Sequence, residues 1–410
     1  MIFESDAAPS LIGQRSFVLF WCARVAATVA NQMLAVAIGW QIYDITGSAF
    51  DLGLVGLVQF VPVVPLSLLV GHVADRYDRR LVARTCQIVE CLGAAGLALA
   101  SAGGWLTVGA IFAVVFTVAT ARTFELPTMH AMVPGLVPQP LFARAVAGSA
   151  SANQIAVIAG PALGGVLYAA GPTVVYALCA ACFLLASALV TLIAPQPVAR
   201  ERTAPSLSSL LAGIAFIRAR PALRGVILLD LFAVLLGGAT ALLPIYARDI
   251  LQTGPWGLGL LRLGPAVGAL LASLLLARHP LRRRVGPIMF AAVIGFGLAT
   301  MSFAVSSTLT IALATLMALG AADSVSVVIR FALVQTETPD ALRGRVSAVN
   351  YAFVGASNTL GDFRAGLMGD WLGAVPAVLI GGLGTVLTAL LCMRLFPELL
   401  RVENLEPRAR

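Results

Sequence analysis

The stretch Gly71-His72-Val73-Ala74-Asp75-Arg76-Tyr77-Asp78-Arg79-Arg80 lies between two long apolar segments. Long apolar segments are typical of membrane helices, and so short a charged stretch between them predicts a tight turn on the cytoplasmic side. The glycine at its start lets two helices approach closely, an aspartate follows one turn later, and the arginines hold the turn at the cytoplasmic surface. The stretch therefore predicts a protein that crosses a membrane more than once.

The composition independently excludes a soluble domain. The chain is 59% hydrophobic and only 11% charged, whereas about a quarter of the residues in an ordinary soluble domain are charged. The net charge is +8, and every basic residue is an arginine. Because these arginines lie in short loops between apolar segments, we expect no nucleic-acid partner.

The apolar segments predict twelve membrane-spanning helices, since each is close to the ~20 residues needed to cross a bilayer. The expected spans are 17–43, 51–72, 82–102, 105–125, 144–169, 172–194, 223–247, 256–277, 286–305, 308–333, 345–369 and 375–396. The stretch 195–222 is rich in proline, serine and arginine, and it predicts a cytoplasmic linker with a short helix at 207–218. We therefore expect an all-α membrane protein with an N-terminal six-helix bundle (1–194), this linker (195–222) and a C-terminal six-helix bundle (223–410).

The arginines fix the expected orientation. Apart from Arg248, those that flank the segments fall on the side predicted to be cytoplasmic, as the positive-inside rule describes. Both termini are therefore expected to be cytoplasmic.

The two halves also repeat. A shift of 201 residues carries the pattern Pro138-x-x-Leu141-x-x-Arg144 onto Pro339-x-x-Leu342-x-x-Arg345, which predicts parallel halves related by an axis along the membrane normal. The same shift carries Arg122 onto Asp323, so these two side chains are expected either to pair as a cytoplasmic gate or to act separately. In the second case Arg122 pairs with Asp75 or Glu125 inside its own half, and Asp323 stays free to carry a proton.

The charged stretch resembles the loop between the second and third helices of major facilitator transporters, Gly-x-x-x-Asp-Arg-x-x-Arg-Arg. The resemblance implies two bundles of six helices that alternate between two states. It also implies that Asp75 meets the start of segment eleven while the cytoplasmic side is closed; the alternative is a charge that only fixes topology. The residues expected to form the conformational switch are Gly71, Asp75, Arg76, Arg79, Arg80, Arg122, Arg343 and Arg345.

A second motif lies in segment five, where Gly160-Pro161-Ala162-Leu163-Gly164-Gly165 resembles the core of the antiporter motif of the same superfamily. Proline bends the helix, and the three glycines present a face on which a neighbouring helix can pack closely. The resemblance implies an antiporter. Plain helix packing, with no bearing on the direction of transport, is the alternative.

Four further stretches resemble the enterobactin-exporter and macrolide-efflux branch of the superfamily: 40–48, 125–127 with 132–138, 339–346 and 361–366. The resemblance implies a monomeric exporter of amphiphilic small molecules in a bacterial inner membrane, driven by protons and surrounded by lipid. The alternatives on the same fold are a lysophospholipid flippase and a nutrient importer.

Polar side chains inside apolar segments are costly in a membrane and need a function or a partner. On segment one, Arg24, Asn31 and Gln32 recur at helical spacing and are expected to face a cavity, although Arg24 would alternatively reach the cytoplasmic surface. Asn153 and Gln154 are expected either to bind cargo or to pack helices. The residues expected to carry protons are Asp230, Asp323 and Glu125.

The sequence predicts neither an enzyme nor a protein with a cofactor. The three histidines have no ligand spacing around them, the six cysteines lie in apolar stretches, and a phosphate-binding loop for ATP is missing. We therefore expect no bound metal.

Overall fold

The structure is a computed structural model, which describes residues 11–194, 207–281 and 283–404 and contains only helices and turns within these ranges. The helices of the first half are α1 (Arg15–Thr46), α2 (Ala49–Arg76), α3 (Arg79–Ala102), α4 (Val108–Leu136), α5 (Phe142–Tyr168) and α6 (Pro172–Thr191). The helices after the linker are α7 (Leu207–Ala219), α8 (Pro221–Gly237), α9 (Leu243–Ile245), α10 (Gly254–Arg278), α11 (Val285–Ala304), α12 (Leu309–Glu337), α13 (Asp340–Leu372), α14 (Ala374–Leu395) and α15 (Pro397–Leu400).

Twelve of these elements form the membrane helices of a two-bundle fold, as the sequence predicts. In the described ranges, ten spans are long and apolar enough to cross a membrane by length and composition. The other two are α2, whose apolar part is Ala49–Val63, and the polar helix α13. The exact bundle and linker boundaries given above stay a prediction.

The linker contains the expected short helix, α7. Its Gly213 lies against the backbone of Arg345 at the start of α13. A Cβ added to Gly213 would lie 3.1 Å from the Arg345 carbonyl oxygen. Ile217 is buried in the hydrophobic core formed with α8, α11 and α12. The linker helix is therefore anchored on the second half of the chain.

Two boundaries differ from those expected. Helix α4 continues to Leu136 rather than ending near 125, because its two internal prolines are tolerated inside a membrane helix where neighbouring groups satisfy the freed carbonyls. Helix α8 ends at Gly237 rather than continuing to 247, and a 3-10 turn, α9 and a π turn at Tyr246–Ile250 follow it.

The internal repeat is visible in the helices themselves. A shift of 201 residues carries α4 (Val108–Leu136) onto α12 (Leu309–Glu337). Each helix begins with a threonine cap: the Thr107 hydroxyl accepts from the Ala110 N–H, and the Thr308 hydroxyl accepts from the Ile311 N–H. These side chains satisfy backbone donors that a helix start leaves free, so both copies of the helix begin in the same way.

The described chain forms two compact units. The first contains the chain up to Ala35, Pro62–Gly164 and the segment from Ala170 through α6. The second contains Val36–Val61, Gly165–Ala169 and all helices from α7 onward. The second unit therefore includes one end each of α1, α2 and α5.

Candidate transport site

The charged turn after α2 ties three helices of the first unit together. Arg79 Nη1 donates to the Ala131 carbonyl of α4 at 2.8 Å, and Arg80 Nη1 donates to the Ile193 carbonyl beyond α6 at 2.7 Å. Asp78 caps α3 by accepting from the Arg80 N–H, and the hydrogen bond from the Arg80 side chain lowers the pKa of Asp78 below its usual range.

The remaining predicted switch residues have less defined surroundings. Gly71 and Asp75 lie on α2, but their side-chain environments are outside the described residues. Arg76 is exposed at the end of α2, and Arg343 and Arg345 are exposed near the start of α13. Their part in switching stays a prediction.

A buried charged cluster joins α3 and α4 in the first unit. The Gln87 side-chain amide donates to Glu125 Oε1 at 2.9 Å, and Glu90 is completely buried beside Glu125. The charge of Arg122 acts on both carboxylates, and Asn31 of α1 lies next to Glu90. The structure thus brings Arg122 and Glu125 together. It adds Gln87 to the group, and because Gln87 precedes Glu90 by three residues, the side chains of Gln87 and Glu90 lie on one face of α3.

A cavity of about 560 Å³ lies between α1, α4 and α5 within the first unit. Arg24 reaches it from α1 and donates from Nη1 to the Ser149 hydroxyl of α5 at 2.9 Å. Three of the residues expected to face cargo therefore line one cavity, since Asn153 and Gln154 also face it. The complete lining is Arg24, Leu126, His130, Val133, Pro134, Phe142, Val146, Ser149, Ala150, Asn153 and Gln154.

The other two predicted cavity residues of α1 have different surroundings. Asn31 is buried and donates to the Ala27 carbonyl one turn earlier at 3.0 Å. The Cβ of Gln32 lies 2.5 Å from the position that a Cβ on Gly160 would occupy, so Gln32 packs against α5.

The glycines of the α5 motif make close backbone contacts with two different helices. A Cβ on Gly160 would lie 3.2 Å from the Val29 carbonyl of α1. A Cβ on Gly165, in the second unit, would lie 2.6 Å from the Pro255 carbonyl and 2.8 Å from Gly259 Cα of α10. Pro161 and Gly164, which lie between these two glycines in the sequence, are buried. Glycine at these positions allows helices to approach more closely than any other residue would permit.

We expect Gly165→Ala to destabilise the protein by about 1–3 kcal/mol, because the added methyl group meets backbone atoms that cannot move aside easily. Gly355→Ala is the matched control, since nothing lies within 4 Å of its added Cβ. There the better helix propensity of alanine is expected to stabilise α13 by up to about 1 kcal/mol. Thermal unfolding in detergent measures both variants. Shifts of the same sign and size would contradict the close-contact interpretation.

The second unit contains a buried ion pair of which the sequence pattern indicated only the aspartate. Arg330 Nη1 of α12 lies 2.7 Å from Asp230 Oδ1 of α8, with only 8% and 12% of the two side chains exposed. Arg330 Nη2 lies 3.7 Å from Oδ1 of Asp323, about two turns earlier on α12. Two predicted proton carriers therefore share one guanidinium. Arg330 could have been found as the basic residue seven positions after Asp323 on one helix face.

A polar layer in the second unit joins the end of α1 to the π turn after α9. Arg248 Nη1 lies 3.1 Å from Asp44 Oδ1, and the Tyr43 hydroxyl donates to Asp249. Gly53 of α2 packs directly on Gly366 of α13, with 2.9 Å from an added Cβ on Gly53 to Gly366 Cα. The ends of α1 and α2 are thus held by both charge and close packing.

The twelve-helix fold, the internal repeat and the charged groups inside its membrane helices define a secondary transporter of the major facilitator type. The chain belongs to the transmembrane secretion effector family, whose model matches residues 5–410. It is a multi-pass membrane protein, and the family and its structural neighbours are transporters rather than enzymes.

Named relatives cover almost the whole chain. The enterobactin exporter EntS of Citrobacter koseri is 29% identical over 403 residues, which are 96% of this chain and 94% of that protein. EntS of Salmonella choleraesuis is 28% identical over 407 residues, which are 96% of this chain and 95% of that protein.

Solved structures show the same fold at lower identity. The nucleoside transporter NupG has a TM-score of 0.74 at 16% identity, covering 93% of this chain and 99% of its own. A bacterial homologue of the human lysosomal transporter Spinster, in an inward-facing and occupied conformation, has a TM-score of 0.75 at 14% identity, covering 94% of this chain and 98% of its own.

Proposed function

We propose that this protein is a proton-coupled exporter of amphiphilic small molecules in a bacterial inner membrane, with both termini in the cytoplasm. The observation that carries proton coupling is the group Asp230, Arg330 and Asp323 in the second unit. Two carboxylates face one guanidinium, so the group has one negative charge in excess.

A proton binds most easily where it removes that excess. Asp230 is already paired with Arg330 at 2.7 Å, whereas Asp323 is more distant and 45% of its side chain is exposed. Protonation of Asp323 would leave a neutral group, and its release would restore the charge. An unbalanced charge inside a membrane segment is costly, so exchange of this proton would favour one transporter conformation over another.

Two further observations support export. The relatives that match along almost the whole chain are named as exporters. The glycine face of α5 also packs closely against both α1 and α10, as expected for the motif that resembles that of antiporters.

The cavity of the first unit bears on the class of cargo. Its wall has polar and apolar side chains, which suits a molecule that is itself partly polar and partly apolar.

The test is transport by purified protein in proteoliposomes with an imposed pH gradient and a panel of labelled amphiphiles. We expect cargo to move in the direction opposite to the flow of protons. We also expect cargo movement to stop when a protonophore collapses the pH gradient. Sodium-driven movement, or cargo that moves in the same direction as protons, would contradict the proposal. An assay with fluorescent lysolipid in the same vesicles would reveal flippase activity instead.

A further inference from the structure

The cavity of the first unit has the size of a binding site for one small molecule. Its volume of about 560 Å³ falls within the ~300–1,000 Å³ of typical ligand pockets. Helices α1, α4 and α5 supply its wall, which contains both polar and apolar side chains.

One face offers hydrogen-bond donors and positive charge. Arg24 is half-buried and is held in place by the Ser149 hydroxyl, and its charge also acts on His130, which lines the same cavity. The amides of Asn153 and Gln154 add further donors. The described lining contains no aspartate or glutamate.

The carboxylate on which the Arg24 charge acts does not line the cavity. Glu125 is 5% exposed, accepts a hydrogen bond from Gln87 and is also influenced by Arg122. Its charge therefore offsets part of the positive charge of Arg24 without entering the cavity, whereas Arg24 itself lines the cavity.

The other face is apolar and accessible. Leu126 and Val146 are 47% and 46% exposed, and Phe142 is 40% exposed. Together with Val133 and Pro134, these side chains can cover a hydrocarbon or aromatic body.

We infer that this cavity binds an amphiphile through an anionic oxygen head group, such as a carboxylate or sulfonate, placed between Arg24 and His130 with its apolar body against Phe142 and Leu126. An arginine fork suits a two-oxygen anion because it donates two parallel hydrogen bonds. The inference rests on the proposed function, since it names the class of cargo for which this cavity is selective.

Binding to the whole protein in phosphatidylcholine nanodiscs tests the inference without any gradient. The probes are anilinonaphthalene sulfonate and N-phenylnaphthylamine, which share their rings and differ in the sulfonate. With empty nanodiscs subtracted, the native protein is expected to bind the sulfonate about tenfold more tightly than the neutral probe, which corresponds to about 1.4 kcal/mol. Arg24→Gln is expected to weaken sulfonate binding about tenfold and neutral-probe binding less than about twofold.

Two further variants separate this effect from misfolding. Ser149→Ala removes the acceptor that positions Arg24 and is expected to reduce the preference for the sulfonate in the same direction. Arg394→Gln, at the exposed end of α14, removes the same charge far from the cavity and is expected to leave both affinities unchanged. Thermal unfolding first checks that each variant unfolds at the same temperature as the native protein. If Arg24→Gln unfolds at a lower temperature, the probe affinities of Ser149→Ala test the inference instead.

Equal affinities of the native protein for both probes, or an equal loss of both in Arg24→Gln, would overturn the inference. Proton-driven efflux of neutral amphiphiles alongside such a result would leave the proposed function standing. Conversely, a sulfonate preference without any response to a pH gradient would support the cavity assignment and contradict proton coupling.

Discussion

Proteoliposomes that contain Asp230→Asn are expected to show no pH-driven efflux, and this variant is expected to lose about 3–5 kcal/mol of unfolding free energy. The loss arises because Arg330, with 8% of its side chain exposed, no longer has its close counter-ion. Asp323, at 3.7 Å from Arg330, then stays ionised because it offsets part of the guanidinium charge, so it no longer exchanges a proton. Efflux assays and thermal unfolding in detergent measure the two effects separately.

The neighbouring carboxylate gives a contrasting result. Asp323→Asn is expected to abolish coupling with little change in stability, because the pair between Asp230 and Arg330 stays intact. Adding Arg330→Gln to Asp230→Asn is expected to recover most of the lost stability but no transport, since it removes the buried guanidinium that has lost its close counter-ion. Asp370→Asn, at an exposed end of α13, is the matched control. Normal coupling in both Asp230→Asn and Asp323→Asn would exclude this group from the mechanism.

The hydrophobic pattern predicted most of the fold because a bilayer requires a long apolar segment for every crossing. It failed where local signals and membrane packing conflict. The fourth expected span ended at 125, yet α4 continues through two prolines to Leu136. The continuous apolar run of segment seven indicated one helix, yet α8 ends at Gly237.

The candidate site was predictable only as a set of residue types. Charged and amide side chains inside apolar segments indicated function, and the structure brings Arg24, Asn153 and Gln154 to one cavity. Which charges pair depends on the contact between distant helices, so the partnership of Arg330 with Asp230 could not be read from spacing alone. The same is true of Gln87 and Glu125, which are 38 positions apart.

The sequence also left open how Asp362 and Arg364 of α13 are accommodated, since two residues so close together on a helix cannot face one way. The structure separates them. The charge of Arg262 on α10 acts on Asp362, while Arg364 reaches α8 and donates from Nε to the Leu235 carbonyl at 2.9 Å. It also donates to the carbonyls of Leu236 and, at 3.5 Å, Gly238.

These bonds explain why α8 can end inside an apolar span. The last carbonyls of a helix have no partner within it, and each unsatisfied carbonyl in a membrane costs several kcal/mol. The guanidinium of Arg364 satisfies the carbonyls at the point where the helix gives way to the 3-10 turn. Its planar array of donors can bind more than one carbonyl at the same time.

Arg364→Met is therefore expected to lower the free energy of unfolding by about 3 kcal/mol or more, since hydrogen bonds to a charged group contribute about 1.5–3 kcal/mol each. Arg364→Lys is expected to lose about half as much, because an ammonium group at one point cannot satisfy both the Leu235 and Leu236 carbonyls. Arg394→Met makes the same substitution at the exposed end of α14 and is expected to change stability by less than about 0.5 kcal/mol. Unfolding in detergent micelles measures all three variants. A loss in Arg364→Met no larger than that in Arg394→Met would show that the end of α8 is stabilised by packing rather than by this arginine.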